Sequence, residues 1–132
     1  MKLKLIYPKW KKLKGQTTFN LPPHGPVVFA ATLPEDVEVS FTDENVEALD
    51  YDEACDLVAI SMMLSTQVKR GWAIADEYRR RGKKVLFGGI STMLHAEETM
   101  EHADAVFLGE SEGRMQEVID DFRRGALKRV YN

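Results

Sequence analysis

The chain has 132 residues, 44% hydrophobic and 30% charged, and a formal net charge of −3 from 18 lysines and arginines against 21 aspartates and glutamates. That is the size of one domain with a core of its own, and the intermixing of acids and bases argues against a broad cationic face for nucleic acid. A single cysteine, Cys55, excludes an internal disulfide and any multi-cysteine zinc or iron–sulfur site in this chain, and fits a reducing cytoplasm. The opening MKLKLIYP is too short for a signal peptide and no later run could span a bilayer, so a soluble, cytoplasmic chain with no membrane partner is expected.

Leu3 to Tyr7 is apolar enough for a first strand, and Pro8 ends it because proline cannot donate to a ladder. Lys9 to Pro26 holds Gly15, Pro22, Pro23, Gly25 and Pro26 and reads as a loop of functional length. Within it Lys9, Lys11, Lys12 and Lys14 surround Trp10, a solvated cluster more than a phosphate patch. Val27 to Leu33 suggests a short buried helix stopped by Pro34. Val37, Val39 and Phe41 alternate with polar residues as a second strand near an edge, with Asp43-Glu44-Asn45 as its turn.

Leu57 to Met62 is a continuous apolar run, the pattern of an interior parallel strand. Gln67 to Arg81 places Val68, Gly71, Trp72, Ala75 and Tyr78 at helical spacing, closed by Gly82. Lys83 to Thr92 follows, with strand Val85-Leu86-Phe87 running into Gly88-Gly89. A helix from His95 to His102 carries Glu97 and Glu98 in its first turn, and Ala105 to Leu108 makes the fifth strand. After the turn Gly109-Glu110-Ser111-Glu112, Met115, Val118, Ile119 and Phe122 mark a last amphipathic helix closed by Gly125. Strands alternating with helices predict an α/β, flavodoxin-like (Rossmann-like) doubly wound fold, five parallel strands in the order 2-1-3-4-5, over residues 1–132 as one domain.

In that architecture a ligand enters at the carboxyl ends of the strands, at the switch point between strands one and three. The residues predicted there are Tyr7 and Pro8, then Ser61, Met62 and Met63, then Gly88, Gly89, Ile90, Ser91 and Thr92, then Gly109, Glu110 and Ser111. Hydroxyls, bare backbone and thioethers suit a large, mostly neutral molecule held by hydrogen bonds and contact area. No histidine, cysteine or carboxylate pair is spaced for catalysis, and His24, His95 and His102 lack the spacing of helical metal ligands, so neither catalytic nor metal-binding residues are expected. There is no GxxxxGK[ST] loop and no GxGxxG after strand one, and strand three does not end in the aspartate of a phosphoacceptor receiver domain.

Tyr7-Pro8, Leu21-Pro22-Pro23, Asp43-Glu44, Ile60-Ser61, Ala75-Asp76 with Arg79-Arg80-Arg81-Gly82, Gly88-Gly89-Ile90, Glu97-Glu98, Ala103-Asp104-Ala105-Val106 and Gly109-Glu110-Ser111-Glu112 occur together in this order. The combination resembles the N-terminal cobalamin-binding (B12-binding) domain that precedes the catalytic barrel in many radical SAM enzymes. The resemblance implies that the nucleotide tail of cobalamin threads between strands beside Ser61 and Gly88-Gly89. The Asp-x-His-x-x-Gly motif that offers cobalt a histidine in other B12 proteins is absent, since Lys9-Trp10-Lys11-Lys12-Leu13 follow strand one, which implies binding without a protein histidine ligand. Where the family often has histidine after Gly-Gly-Ile and proline before the glutamates, this chain has Ser91 and His95. The iron–sulfur cluster and SAM belong, on this reading, to a radical SAM catalytic domain in cis or in trans, because Cys55 alone cannot form a CxxxCxxC loop. Two other readings use the same edge: a fold kept as a non-catalytic interaction or docking module, and a site for flavin or another nucleotide.

Overall fold

The computed structural model describes residues 1–12, 14–15 and 22–132. Leu21 of the Leu-Pro-Pro stretch and much of the expected loop, residues 13 and 16–21, lie outside the described residues. Six strands, β1 (Lys2–Tyr7), β2 (Glu38–Asp43), β3 (Leu57–Ser61), β4 (Lys84–Gly88), β5 (Ala105–Phe107) and β6 (Val130–Tyr131), form one parallel sheet in the order β2-β1-β3-β4-β5-β6. Every residue of β3 is buried, as a strand covered on both faces requires.

The period of two along each strand sorts the core. Leu3, Leu5, Leu57, Ala59, Leu86, Ala105 and Phe107 point to one face, covered by α1 (His24–Ala31) and α5 (Met115–Arg123). Ile6, Val58, Ile60, Val85, Phe87 and Val106 point to the other, covered by α2 (Val68–Arg80) and by α4 (Ala96–His102) through Met100. The chain therefore leaves β1 over one face and β3 over the other.

Three departures from the predicted elements have local causes. The first helix starts at His24, three residues before Val27, because Pro26 falls in its first turn, where a missing N–H costs nothing. A short helix, α3 (Ile90–Leu94), follows the glycine pair where only a connection was expected. The sheet has six strands rather than five: β6 is two residues long, too short to show a period, and tertiary contacts hold it. Leu108 N–H donates to the Tyr131 carbonyl at 2.8 Å and the Tyr131 hydroxyl donates to Asp121 Oδ2 at 2.9 Å.

Next to β2 the core admits one charge. Lys4 is 2% exposed; its ammonium donates to Thr42 Oγ1 at 2.8 Å and Ser40 Oγ at 3.3 Å, and pairs with the Glu53 carboxylate. The hydrogen bond from Lys4 holds the Glu53 carboxyl down to about 2, well below its ordinary 4.5. A depressed folded-state value means that the pair stabilises the fold above pH 4.5 and that this stabilisation is lost as pH falls towards 2. Glu53→Gln, which leaves a buried ammonium without its counter-charge, is expected to cost about 3 kcal/mol at neutral pH and to flatten the stability profile between pH 4.5 and 2. Urea unfolding across that range measures both effects.

Candidate functional site

Because the chain leaves β1 and β3 over opposite faces, a crevice opens where their carboxyl ends part. A cleft of about 530 Å³ runs from this rim down between the sheet and α1, within the usual size of a small-molecule site. Leu5, Ala59, Ser61, Leu86 and Gly88 line it from the sheet, His24, Gly25, Val28 and Phe29 from α1, and Met63, Ile90, Met93 and the turn from Gly109 to Glu112 surround its mouth. The void follows from side-chain size. Ser61 and Gly88 are register partners on adjacent strands, and with Ala59 they put the smallest side chains under the helix, while Ala30 of α1 and Leu33 beyond its end pack on the core.

The adjacent glycines are needed for different reasons. Gly89 has φ +91°, and a Cβ there would stand 2.5 Å from the Met62 carbonyl oxygen, so the fold itself demands glycine. Gly88 has no such constraint: a Cβ built on it meets nothing within 4 Å. Its carbonyl is fixed by Met62 N–H at 2.9 Å and Thr92 Oγ1 at 2.8 Å, so it presents bare backbone in a fixed position. Gly89 keeps the turn and Gly88 keeps the cleft open.

Eight of the thirteen residues predicted at the rim line this cleft: Ser61, Met63, Gly88, Gly89, Ile90, Gly109, Glu110 and Ser111. The other five do not. Tyr7 is buried with its ring edge-on to Trp10, and burial pushes its hydroxyl upward in pKa; the Pro8 carbonyl is taken by Gln67; Met62 packs in the core; Ser91 and Thr92 are buried within α3. His24, Val28, Phe29, Met93 and Glu112 were not predicted as site residues. Val28 and Phe29 could have been found from the helical spacing of the predicted Val27–Leu33 helix, whereas nothing in the sequence turns His24 towards the cleft.

Helix α3 is inside out. Its polar Ser91 and Thr92 are buried while Ile90, Met93 and Leu94 are 53%, 51% and 68% exposed. Met63 and Leu64, also exposed, sit at the end of the neighbouring strand β3. An apolar rim around a cleft marks a surface that something covers. The Ser91 hydroxyl is buried without a hydrogen-bond partner among the described residues, an unmet polar group in the same short helix.

The family model for the B12 binding domain matches residues 11–119. The chain belongs to the B12-binding domain family. This B12-binding domain is 31% identical over 106 residues to the bacteriochlorophyllide d C-8(2)-methyltransferase of Chlorobaculum tepidum strain TLS, a match covering 80% of this chain and 23% of that protein. To the bacteriochlorophyllide d C-12(1)-methyltransferase of the same organism it is 32% identical over 96 residues, covering 71% of this chain and 21% of that protein. The chain thus spans less than a quarter of the length of these curated relatives. No solved structure matches it.

Of the B12-binding domain's three histidines, His24 lines the cleft. His95 connects α3 to α4, and His102 stacks on Trp72 and bonds Asp76 at 2.9 Å on the opposite side of the sheet. Among the described residues no three His, Cys, Asp or Glu side chains come together as a metal site, and no helix is long and apolar enough to cross a membrane. Gly89→Ala, which forces a Cβ against the Met62 carbonyl at positive φ, is expected to cost about 2 kcal/mol or more in urea unfolding.

Proposed function

We propose that the cleft holds cobalamin, and that residues 1–132 act as one cobalamin-binding unit for methyl transfer or radical chemistry carried out by another domain. The observation that carries this reading is the cradle at Gly88: an exposed-backbone floor beside Ser61 where a Cβ would fit without touching protein, so the protein's own packing leaves it empty. Bound there, cobalamin supplies a cobalt centre able to exchange carbon groups. Ser61 and the Gly88-Gly89 backbone would line the slot for its nucleotide tail, with a hydroxyl to hydrogen-bond and no side chain to obstruct. Ile90, Met93 and Met63 would meet the flat macrocycle with apolar, adaptable surface. Gly109, Glu110 and Ser111 would close the far side of the mouth. Tyr7, Pro8, Met62, Ser91 and Thr92 would support these positions from behind.

The methyltransferase names of the relatives, and the three quarters of their length that this chain does not cover, favour methyl transfer as the reaction served. An iron–sulfur cluster and SAM would then be held by a radical SAM domain, since Cys55 is the chain's one cysteine and is buried. Cobalt is held without a protein histidine ligand on this reading. His24 is the residue that tests that point, because it is the histidine in the cleft.

Gly88→Val adds bulk to the cradle at a position where a Cβ meets nothing within 4 Å, so the variant is expected to stay folded in urea unfolding and to elute colourless from gel filtration after incubation with hydroxocobalamin, where the unaltered domain carries the colour. Uptake by the folded variant equal to that of the unaltered domain overturns the site. His24→Ala is expected to leave the visible spectrum of the bound cofactor unchanged; a spectral shift on losing the imidazole would assign it to cobalt.

A further inference from the structure

Gln67 stands apart from the cleft wall, yet it is 0% exposed and its side-chain amide binds the backbone of two rim segments as well as the Tyr7 side chain. Oε1 accepts from the N–H groups of Met63 and Leu64, both at 2.9 Å, and Nε2 donates to the Pro8 carbonyl at 2.6 Å. The β1–β3 ladder ends at the pair Ile6 and Ile60. Past that point the two chains part, and the Gln67 amide links them where the sheet no longer does. Three residues on, Arg70 repeats the device: its guanidinium grips Glu44 at 2.6 and 3.1 Å, and Glu44 in turn accepts from Lys9 N–H at 3.2 Å. The start of α2 thus laces together the ends of β1, β2 and β3.

One of the groups held is Met63, whose thioether reaches the α1 side of the cleft, where a Cβ on Gly25 would stand 3.2 Å from its sulfur. We propose that Gln67 is a positioning residue for the cleft: by fixing the Met63 and Leu64 N–H groups against the end of β1, it sets where the Met63 arm crosses the mouth, and so sets the affinity for the ligand. This inference rests on the cobalamin reading. A rim held in its bound geometry spares the ligand the cost of ordering it, and releasing three backbone polar groups returns that cost to the binding step.

The test compares Gln67→Met, which fills the space but makes none of the three hydrogen bonds, with Gln67→Glu, which keeps the acceptor for Met63 and Leu64 and loses the donor to Pro8. Hydroxocobalamin is titrated by its visible spectrum, and urea unfolding is measured on the same samples. Gln67→Met is expected to raise Kd about tenfold or more and Gln67→Glu about threefold. Glu53→Gln, destabilised at the other end of the sheet, is expected to bind with unchanged Kd, whereas a purely structural role for Gln67 would raise Kd in both variants alike. An unchanged Kd in folded Gln67→Met overturns the inference, as does an unchanged Kd in Gln67→Glu should the methionine variant not fold. The ¹³C methyl resonance of Met63 gives a reading without cofactor. It is expected to shift and sharpen when Gln67 is replaced, and an unmoved resonance overturns the inference even if the unaltered domain takes up no cobalamin, an outcome that by itself defeats only the parent reading.

Discussion

The rim depends on one constraint: β1 and β3 are neighbours in the sheet, but the chain leaves them over opposite faces. No backbone ladder can continue beyond Ile6 and Ile60, so the two ends part and the space between them is filled either by side chains or by something else. On the α1 side it is not filled by side chains. Ala59, Ser61 and Gly88 present almost nothing to the helix above them, and a cavity of about 530 Å³ results. Away from the cleft the side chains pack as a core should, with Leu3, Leu57 and Ile119 on this face and Val58, Val85 and Tyr78 on the other.

Packing this uneven is informative because the protein meets the cost of an open cleft in one place and corrects for it around the edges. Gly89, at positive φ against the Met62 carbonyl, turns the chain sharply enough to bring α3 over the rim. The same turn buries Ser91 and Thr92 and leaves Ile90, Met93 and Leu94 facing outward, the reverse of a helix that serves only its own core. On the cobalamin reading proposed above these features share a cause: a ligand with a slender polar tail and a broad apolar body would occupy both the slot and the rim above it. The cleft wall is made of backbone, hydroxyl, thioether and hydrocarbon with one imidazole, that of His24, and Glu110 and Glu112 stand at its outer edge.

The sheet and its order were legible because they rest on long signals. Five apolar runs of period one or two, separated by helices of period 3.6, leave little freedom in a parallel sheet, and the sequence motifs around Ser61, Gly88-Gly89 and Gly109-Glu112 led to the family. The sixth strand was not legible, because Val130–Tyr131 is held by Tyr131 reaching Asp121 and by pairing to β5, neither of which leaves a local pattern. Helix α3 was missed since five residues carry too little periodicity and its apolar positions face the wrong way for a core helix. At the site, position along a strand could be read but depth could not. In the sequence the residues following each strand form one rim, whereas in the fold the turn at Gly89 sends Ser91 and Thr92 inward and leaves Ile90 and Met93 at the surface. His24 is in the wall because α1 begins there, three residues before Val27, with Pro26 accommodated in its first turn.

The central claim is that the slot beside Ser61 and Gly88 takes the nucleotide tail of cobalamin. The most direct measurement is therefore the affinity of the unaltered domain for hydroxocobalamin against that for the hydroxo form of cobinamide, which has the same corrin without the nucleotide tail. A slot that takes the tail requires cobalamin to bind about tenfold or more tightly, since burying such a group in a preformed cleft gains well over 1 kcal/mol. Equal affinity for the two would mean that the slot does not hold the nucleotide tail and would contradict the claim.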